Sequence, residues 1–296
     1  MNAYSDSSLI AKAKILTEAL PYIQKFRHSI FVIKYGGSFM DEEDGSIGKQ
    51  IAMDIVLLAS VSIHVVVVHG GGKAISRSMK TAGIVPKFVN GLRYTDQATV
   101  KVVEETLNSS VNQTVCDLLT LHNGRVRGLR GNDILTCSRH QELDGEGKTI
   151  DLGFVADVKA VDTKPILQAL NDDCIPVISP LAVDLDGQVY NANADIAASK
   201  IAQALGARRL VYLCDKPGLL YDVNDEGSLI STLHIDEVSG LKLAGVIDAG
   251  MYPKVTSAVE ALQGKVRRVH LISAFVAHSL LLEIFTDQGI GTEIIH

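Results

Sequence analysis

Apolar residues at Leu9, Ala13, Leu16, Leu20 and Ile23 recur at spacings of four and three, with a second stripe of Ile15, Ala19, Tyr22 and Phe26 beside them. That pattern predicts an amphipathic helix within residues 1–28. Pro21 lacks an amide donor and crowds the preceding turn, so the helix should kink there or divide into two short helices. Its apolar surface suits packing on the body or on another subunit, and spacing alone names neither. Short β-branched runs follow at 30–34 and 63–68, each leading into glycines, with a helical pattern at 48–60 between them. This is a β-α-β order. The alternation returns with strands at 124–129, 175–178, 210–213 and 269–272 and helices around 97–121, 163–171, 195–205 and 253–263, predicting an α/β protein with a mostly parallel, helix-covered sheet. The polar stretch 135–157, with its Asp-Gly and Glu-Gly pairs, predicts a hairpin excursion.

Composition narrows the classes. At 296 residues, with 47% hydrophobic and 21% charged residues, the chain is globular rather than disordered. A net charge of −6 with no block of Lys and Arg argues against a nucleic-acid surface. No apolar run approaches the roughly 18 residues of a membrane span, and no basic segment with an apolar stretch opens the chain. A cytoplasmic protein with no membrane partner is expected. Cys116, Cys137, Cys174 and Cys214 are widely spaced, which argues against a Cys-x-x-Cys site or a disulfide framework.

The chemistry gathers where strands end. Lys34-Tyr35-Gly36-Gly37-Ser38 closes the first strand, and such a glycine turn beside a lysine can cradle phosphate oxygens or be a plain tight turn. His69-Gly70-Gly71-Gly72-Lys73 closes the second, at the carboxyl end where open α/β sheets bind ligands. Neither fits a Walker A loop, and no Gly-x-Gly-x-x-Gly stands in a β-α turn. His69 reads as a locally hydrogen-bonded strand-end histidine rather than a catalytic one. Arg93, beside Gly91 and before a helix capped by Thr95 or Asp96, could clamp a carboxylate or lie exposed. Asn191 and Asn193 precede a helix that Asp195 is expected to cap. Asp215 to Gly218 form a further strand-to-turn junction. Lys254, after Gly250-Met251-Tyr252-Pro253, falls in a helix's first turn, where the dipole disfavours a cation and a bound anion would explain it.

In order, the segments at 32–37, 66–72, 88–96, 191–195, 215–220, 250–254 and 281–292 resemble the amino acid kinase family, most closely its N-acetylglutamate kinases, over nearly the whole chain. The resemblance implies a three-layer αβα sandwich and an ATP-dependent phosphorylation of the side-chain carboxylate of N-acetyl-L-glutamate. It implies catalytic roles for Lys34, Lys254 and Asp195. Gly70, Gly71, Gly72, Arg93 and Asn191 would bind the acyl amino acid, while Gly36, Gly37, Asp215, Gly218, Gly250 and Met251 would bind ATP. An N-terminal lobe at 29–185 would carry the acyl amino acid and a C-terminal lobe at 186–296 the nucleotide. Mg²⁺ would sit on the β- and γ-phosphates, largely through water, with no protein metal cluster. The N-terminal helix is similar to that of arginine-inhibited homohexamers, and His270, Glu283 and Gly289 would form the arginine site.

The sequence departs from the family pattern in places. A usual Gly-Leu-Ser-Gly-Lys-Asp reads Gly128-Leu129-Arg130-Gly131-Asn132-Asp133, Ala249 replaces a glycine before Gly250-Met251, and a lysine common after the Pro-Gly loop is missing from Tyr221-Asp222-Val223-Asn224. Two other readings stay open at this point. A kinase for N-acetyl-aminoadipate differs by one methylene, worth only about 1–3 kcal/mol of discrimination. A non-catalytic amino-acid sensor of the same fold would have no use for two lysines aimed at a phosphoryl group.

Overall fold

The computed structural model describes residues 7–36, 45–143, 147, 149–247, 250–287 and 289–296. β-branched runs build a central sheet of eight strands. Its order is Thr232–His234, Thr292–Ile295, Arg268–Ser273, Arg209–Cys214, Ile30–Tyr35, His64–His69, Ile175–Ile178, Val126–Leu129. Six strands run parallel. Thr292–Ile295 pairs antiparallel with Arg268–Ser273, and the edge strand Thr232–His234 runs with it.

Alternate residues along each central strand face opposite layers. Val32, Val66, Val68, Leu210 and Tyr212 join one buried cluster with residues of helices Lys164–Asn171, Ala194–Ala204 and Tyr252–Gln263. Phe31, Ile33, Tyr35, Val65, Val67 and Val211 join another with residues of helices Ser46–Ser60, Asn112–Leu121 and Ser279–Phe285. The αβα sandwich follows from this two-sided burial. A four-stranded sheet of Val189–Asn191, Leu181–Val183, Leu135–Arg139 and Ala156–Val161 stands beside it. The hairpin excursion is present: Leu135–Arg139 pairs antiparallel with Ala156–Val161, and Glu142–Leu143 with Thr149–Ile150.

Ser7–Phe26 is one helix with Pro21 inside it, so of the two expected arrangements the divided one is not taken, since one missing amide need not end a helix. Phe26 is buried and Tyr22 packs against the core, whereas Ile10, Ile15, Leu16 and Leu20 are exposed, so among the described side chains the C-terminal end of the stripe is the part that lies on the body. The predicted helix 97–121 is corrected: α-helix Gln97–Glu105 gives way to a π-helical turn, Thr106–Val111, before α-helix Asn112–Leu121. Such turns often mark functional sites.

Candidate active site

Parallel strands bring their carboxyl ends to one edge. Register sets Tyr35 level with His69 and Lys34 level with Tyr212. Lys34, Tyr212 and Cys214 therefore face the same layer, toward the starts of helices Ala194–Ala204 and Tyr252–Gln263.

Asp195 lies in the first turn of helix Ala194–Ala204 but does not cap it. Asn193 holds that role: its side-chain oxygen accepts from the amides of Asp195 at 2.8 Å and Ile196 at 3.2 Å. Asp195 is freed to meet two lysines, with Oδ1 2.9 Å from Lys34 Nζ and Oδ2 3.3 Å from Lys254 Nζ. Burial pushes its carboxyl upward, but the two ammonium groups outweigh burial and hold it below the ordinary value. Burial likewise depresses Lys254, and Asp195 more than reverses this, raising it. The cluster carries two positive charges and one negative, so a net positive charge remains in a low-dielectric site, where it favours an incoming anion. Lys254's place in a helix's first turn is thus explained by a carboxylate neighbour.

Arg93 is 7% exposed. Its guanidinium donates to the Gly72 carbonyl at 2.8 Å and to Ser76 Oγ at 2.9 Å, and stacks on the Phe88 ring with a 4.7 Å centroid distance. Burial lowers its pKa. Among the described residues no carboxylate pairs with it, which leaves a buried cation held in place by neutral acceptors. Lys34, Gly70, Gly71, Gly72, Arg93, Asn191 and Asp195 all line one cleft of about 240 Å³. Leu107, Phe88, Val155 and Pro180 add apolar wall. Leu107 comes from the π turn and packs so closely that a Cβ on Gly71 would stand 2.4 Å from its Cδ2.

His69 is fully buried, and desolvation pushes its pKa down to about 4, so it is neutral. With the proton assigned to Nδ1, it donates to the Gly70 carbonyl at 2.8 Å and accepts from Asn112 Nδ2 at 3.2 Å. The local hydrogen-bonding role matches expectation. Burial pushes the Cys214 thiol up to about 12, which makes it a poor nucleophile despite its place near the lysines.

The remaining predicted positions fall in two groups. Gly36 is buried just past the first strand, and Gly37 lies outside the described residues, as does Ala249. Asp215 is exposed beyond strand Arg209–Cys214, close enough to Lys254 to raise its pKa slightly, and Gly250 and Met251 lead into helix Tyr252–Gln263. Gly218 packs on the edge of the sheet, where a Cβ would come 2.5 Å from Thr292 Oγ1. His270, Glu283 and Gly289 form a separate cluster. Glu283 Oε1 is 2.6 Å from His270 Nδ1, and its Oε2 accepts from the amides of Ile290 at 2.7 Å and Gly291 at 3.3 Å. Burial opposes ionisation of Glu283, but His270 and those amides hold its pKa low.

One network escaped sequence reasoning. Asn108 in the π turn donates to Asn132 Oδ1 at 3.1 Å and accepts from Ser179 Oγ at 2.6 Å, and Ser179 Oγ accepts from the Gly131 amide at 2.9 Å. The unusual Asn132 thus has a partner at a position read only as mid-helix.

A family model described as the amino acid kinase family matches residues 29–273. The chain belongs to the amino acid kinase family. The acetylglutamate kinases of Geotalea daltonii and Aquifex aeolicus are each 44% identical to it, over 97% of this chain and 98% and 99% of their own lengths. Among solved structures, an N-acetylglutamate synthase from Neisseria gonorrhoeae, complexed with coenzyme A and N-acetyl-glutamate, superposes with a TM-score of 0.83 at 27% identity over 96% of this chain. The same synthase with coenzyme A and L-arginine gives 0.79. This chain spans 63% and 65% of those synthase chains. A carbamate kinase from Giardia, at 15% identity and a TM-score of 0.65, shares the fold.

Proposed function

We propose that this amino acid kinase transfers the γ-phosphoryl group of ATP to the side-chain carboxylate of N-acetyl-L-glutamate, giving N-acetyl-L-glutamyl 5-phosphate and ADP. The observation that carries the reading is the buried Lys34–Asp195–Lys254 cluster opening on the cleft that also holds Arg93. Full-length relatives at 44% identity carry the acetylglutamate kinase name.

The nucleophile is already ionised at neutral pH, so no general base is needed. A carboxylate oxygen attacks the γ-phosphorus as the bond to the ADP oxygen breaks, and the task left to the protein is alignment and charge neutralisation. Lys34 and Lys254 place their ammonium groups around the transferring phosphoryl group, held there by Asp195. Arg93 receives the α-carboxylate with Asn191, and Gly70, Gly71 and Gly72 let the acyl amino acid approach the backbone. Gly36, Gly37, Asp215, Gly218, Gly250 and Met251 contact ATP, so that residues 29–185 carry the acyl amino acid and 186–296 the nucleotide. Both oxygens of Asp195 already face lysines, a donor set that fits a Mg²⁺ carried on the nucleotide's phosphates and water better than one held by the protein. When bound, that ion would offset phosphate charge.

Arginine inhibition, a homohexamer and a cytoplasmic location belong to the same proposal. Helix Ser7–Phe26 leans on helix Ser279–Phe285, the Tyr22 hydroxyl donates to Asp287, and a groove of about 600 Å³ between them is lined by Glu18, Tyr22, Lys25 and Asp287. That groove, together with His270, Glu283 and Gly289, would take a guanidinium amino acid. The exposed Ile10, Ile15, Leu16 and Leu20 suit burial against a second copy. No described helix is long and apolar enough to cross a membrane.

The test is ADP release by purified protein with ATP and Mg²⁺. N-acetyl-L-glutamate should be required, and L-glutamate, whose free amine would meet the site that accepts the acetyl group, should not replace it. ADP release independent of the acyl amino acid would overturn the reading.

A further inference from the structure

Tyr212 is fully buried in the middle of strand Arg209–Cys214, level with Lys34 and on the same face. Its hydroxyl lies 2.8 Å from Ser257 Oγ and 3.2 Å from the carbonyl oxygen of Asp195. Ser257 gives its own proton to the carbonyl of Lys254 at 2.9 Å, so it accepts from Tyr212, whose single proton is shared between Ser257 Oγ and the more distant Asp195 carbonyl. Tyr212 thus stands between the backbone at Asp195 and the backbone at Lys254, with its bond to Ser257 the shorter of the two. The helices are tied again behind this point, by Ser199 Oγ donating to the Ser257 carbonyl at 2.7 Å and by Lys200 Nζ 3.1 Å from Glu260 Oε2.

Resting on the function proposed above, we infer that Tyr212 and Ser257 are positioning residues for phosphoryl transfer: they lock the first turns of helices Ala194–Ala204 and Tyr252–Gln263 to the central strand and so fix Asp195 and Lys254 relative to Lys34. Neither Tyr212 nor Ser257 lines the cleft. Burial and the nearby Asp195 charge keep the phenol protonated, so it remains a donor throughout the working pH range. The geometry makes the pair matter because transfer depends on sub-ångström alignment of the cations, and displacement of about 1 Å costs roughly 10²-fold in rate. A buried hydroxyl that served only the core would instead affect folding and leave turnover per folded molecule alone.

The experiment compares wild type, Tyr212→Phe, Ser257→Ala and the double variant by acyl-phosphate formation per folded protein, with both substrates titrated and folding checked by thermal melting. Wild-type turnover of N-acetyl-L-glutamate comes first, since its absence would count against the proposed function and not against this strut. With wild type active, each single variant should lower kcat by about tenfold with both KM values within twofold. The double variant should lose little more than either single one, because both act in one chain of contacts. A kcat within twofold of wild type in Tyr212→Phe, or losses that multiply in the double variant, would overturn the inference.

Discussion

Arg93 and Lys254 are both buried cations, yet they should fail differently. Arg93 is held by the neutral acceptors Gly72 and Ser76, so its charge is available to a carboxylate. Replacing it with lysine keeps charge but loses the planar fork. Arg93→Lys should raise KM for N-acetyl-L-glutamate by about 10- to 100-fold, the worth of a charged hydrogen bond, while KM for ATP stays near wild type in initial-rate titrations. Lys254 meets Asp195 and, in the proposed reaction, would face charge that grows only during transfer. Lys254→Ala should cut kcat by about 10²- to 10³-fold with far smaller changes in KM; an unchanged kcat would remove it from catalysis. Both residues were legible in sequence, Arg93 as a cation beside a glycine and Lys254 as a cation out of place in a helix's first turn. Asp195's pairing with Lys34 and Lys254 came from the family resemblance alone, because the lysines reach it from positions far apart in the chain and a first-turn aspartate reads equally well as a cap. Tyr212 was hidden for a related reason: in an apolar strand its hydroxyl gives no pattern, and its partner lies on another element.

At the scale of elements, the long β-branched strands and the helices between them were readable because their periodicities are strong. The edge strand Thr232–His234, its neighbour Thr292–Ile295 and the short strands Leu181–Val183 and Val189–Asn191 have too few residues to show alternation. The π turn is invisible for a physical reason: one extra residue in a helix leaves the apolar spacing almost intact. Its consequence is strict at Gly131, whose amide bonds Ser179 and where a Cβ would sit 2.0 Å from the Ser179 carbonyl oxygen and 2.5 Å from that of Leu181. Backbone cannot yield as a side-chain tip can, so Gly131→Ala should cost about 2–3 kcal/mol or more, seen as a lower denaturation midpoint. Helix Ser46–Ser60 offers a contrary case in Asp54, 1% exposed and 2.7 Å from His278 Nδ1. Burial raises its pKa and His278 only partly offsets this, so the native state holds the proton more tightly than the unfolded chain does. Ionised Asp54 therefore weakens the fold at neutral pH, and the penalty fades as pH falls through its folded pKa toward the ordinary value of 3.8. Asp54→Asn should raise Tm at pH 7 by more than at pH 4; an equal or reversed difference would refute the sign.

For the whole molecule, one mostly parallel sheet collects Lys34, Asp195, Lys254 and Arg93 at a single edge, while the N-terminal helix leaves an apolar row uncovered. Deleting residues 1–20 should keep turnover, reduce the mass seen by light scattering from a hexamer to a smaller oligomer, and abolish any inhibition by arginine. Unchanged mass would contradict a hexamer held together by this helix. Phosphate moving to a carboxylate between Lys34 and Lys254 would yield an acyl phosphate, which hydroxylamine converts to a hydroxamate while leaving ATP and ADP unchanged. With ATP and Mg²⁺, N-acetyl-L-glutamate should give hydroxamate in step with ADP and in preference to N-acetyl-L-aminoadipate. ADP formed without hydroxamate, or no product from N-acetyl-L-glutamate, would contradict that transfer.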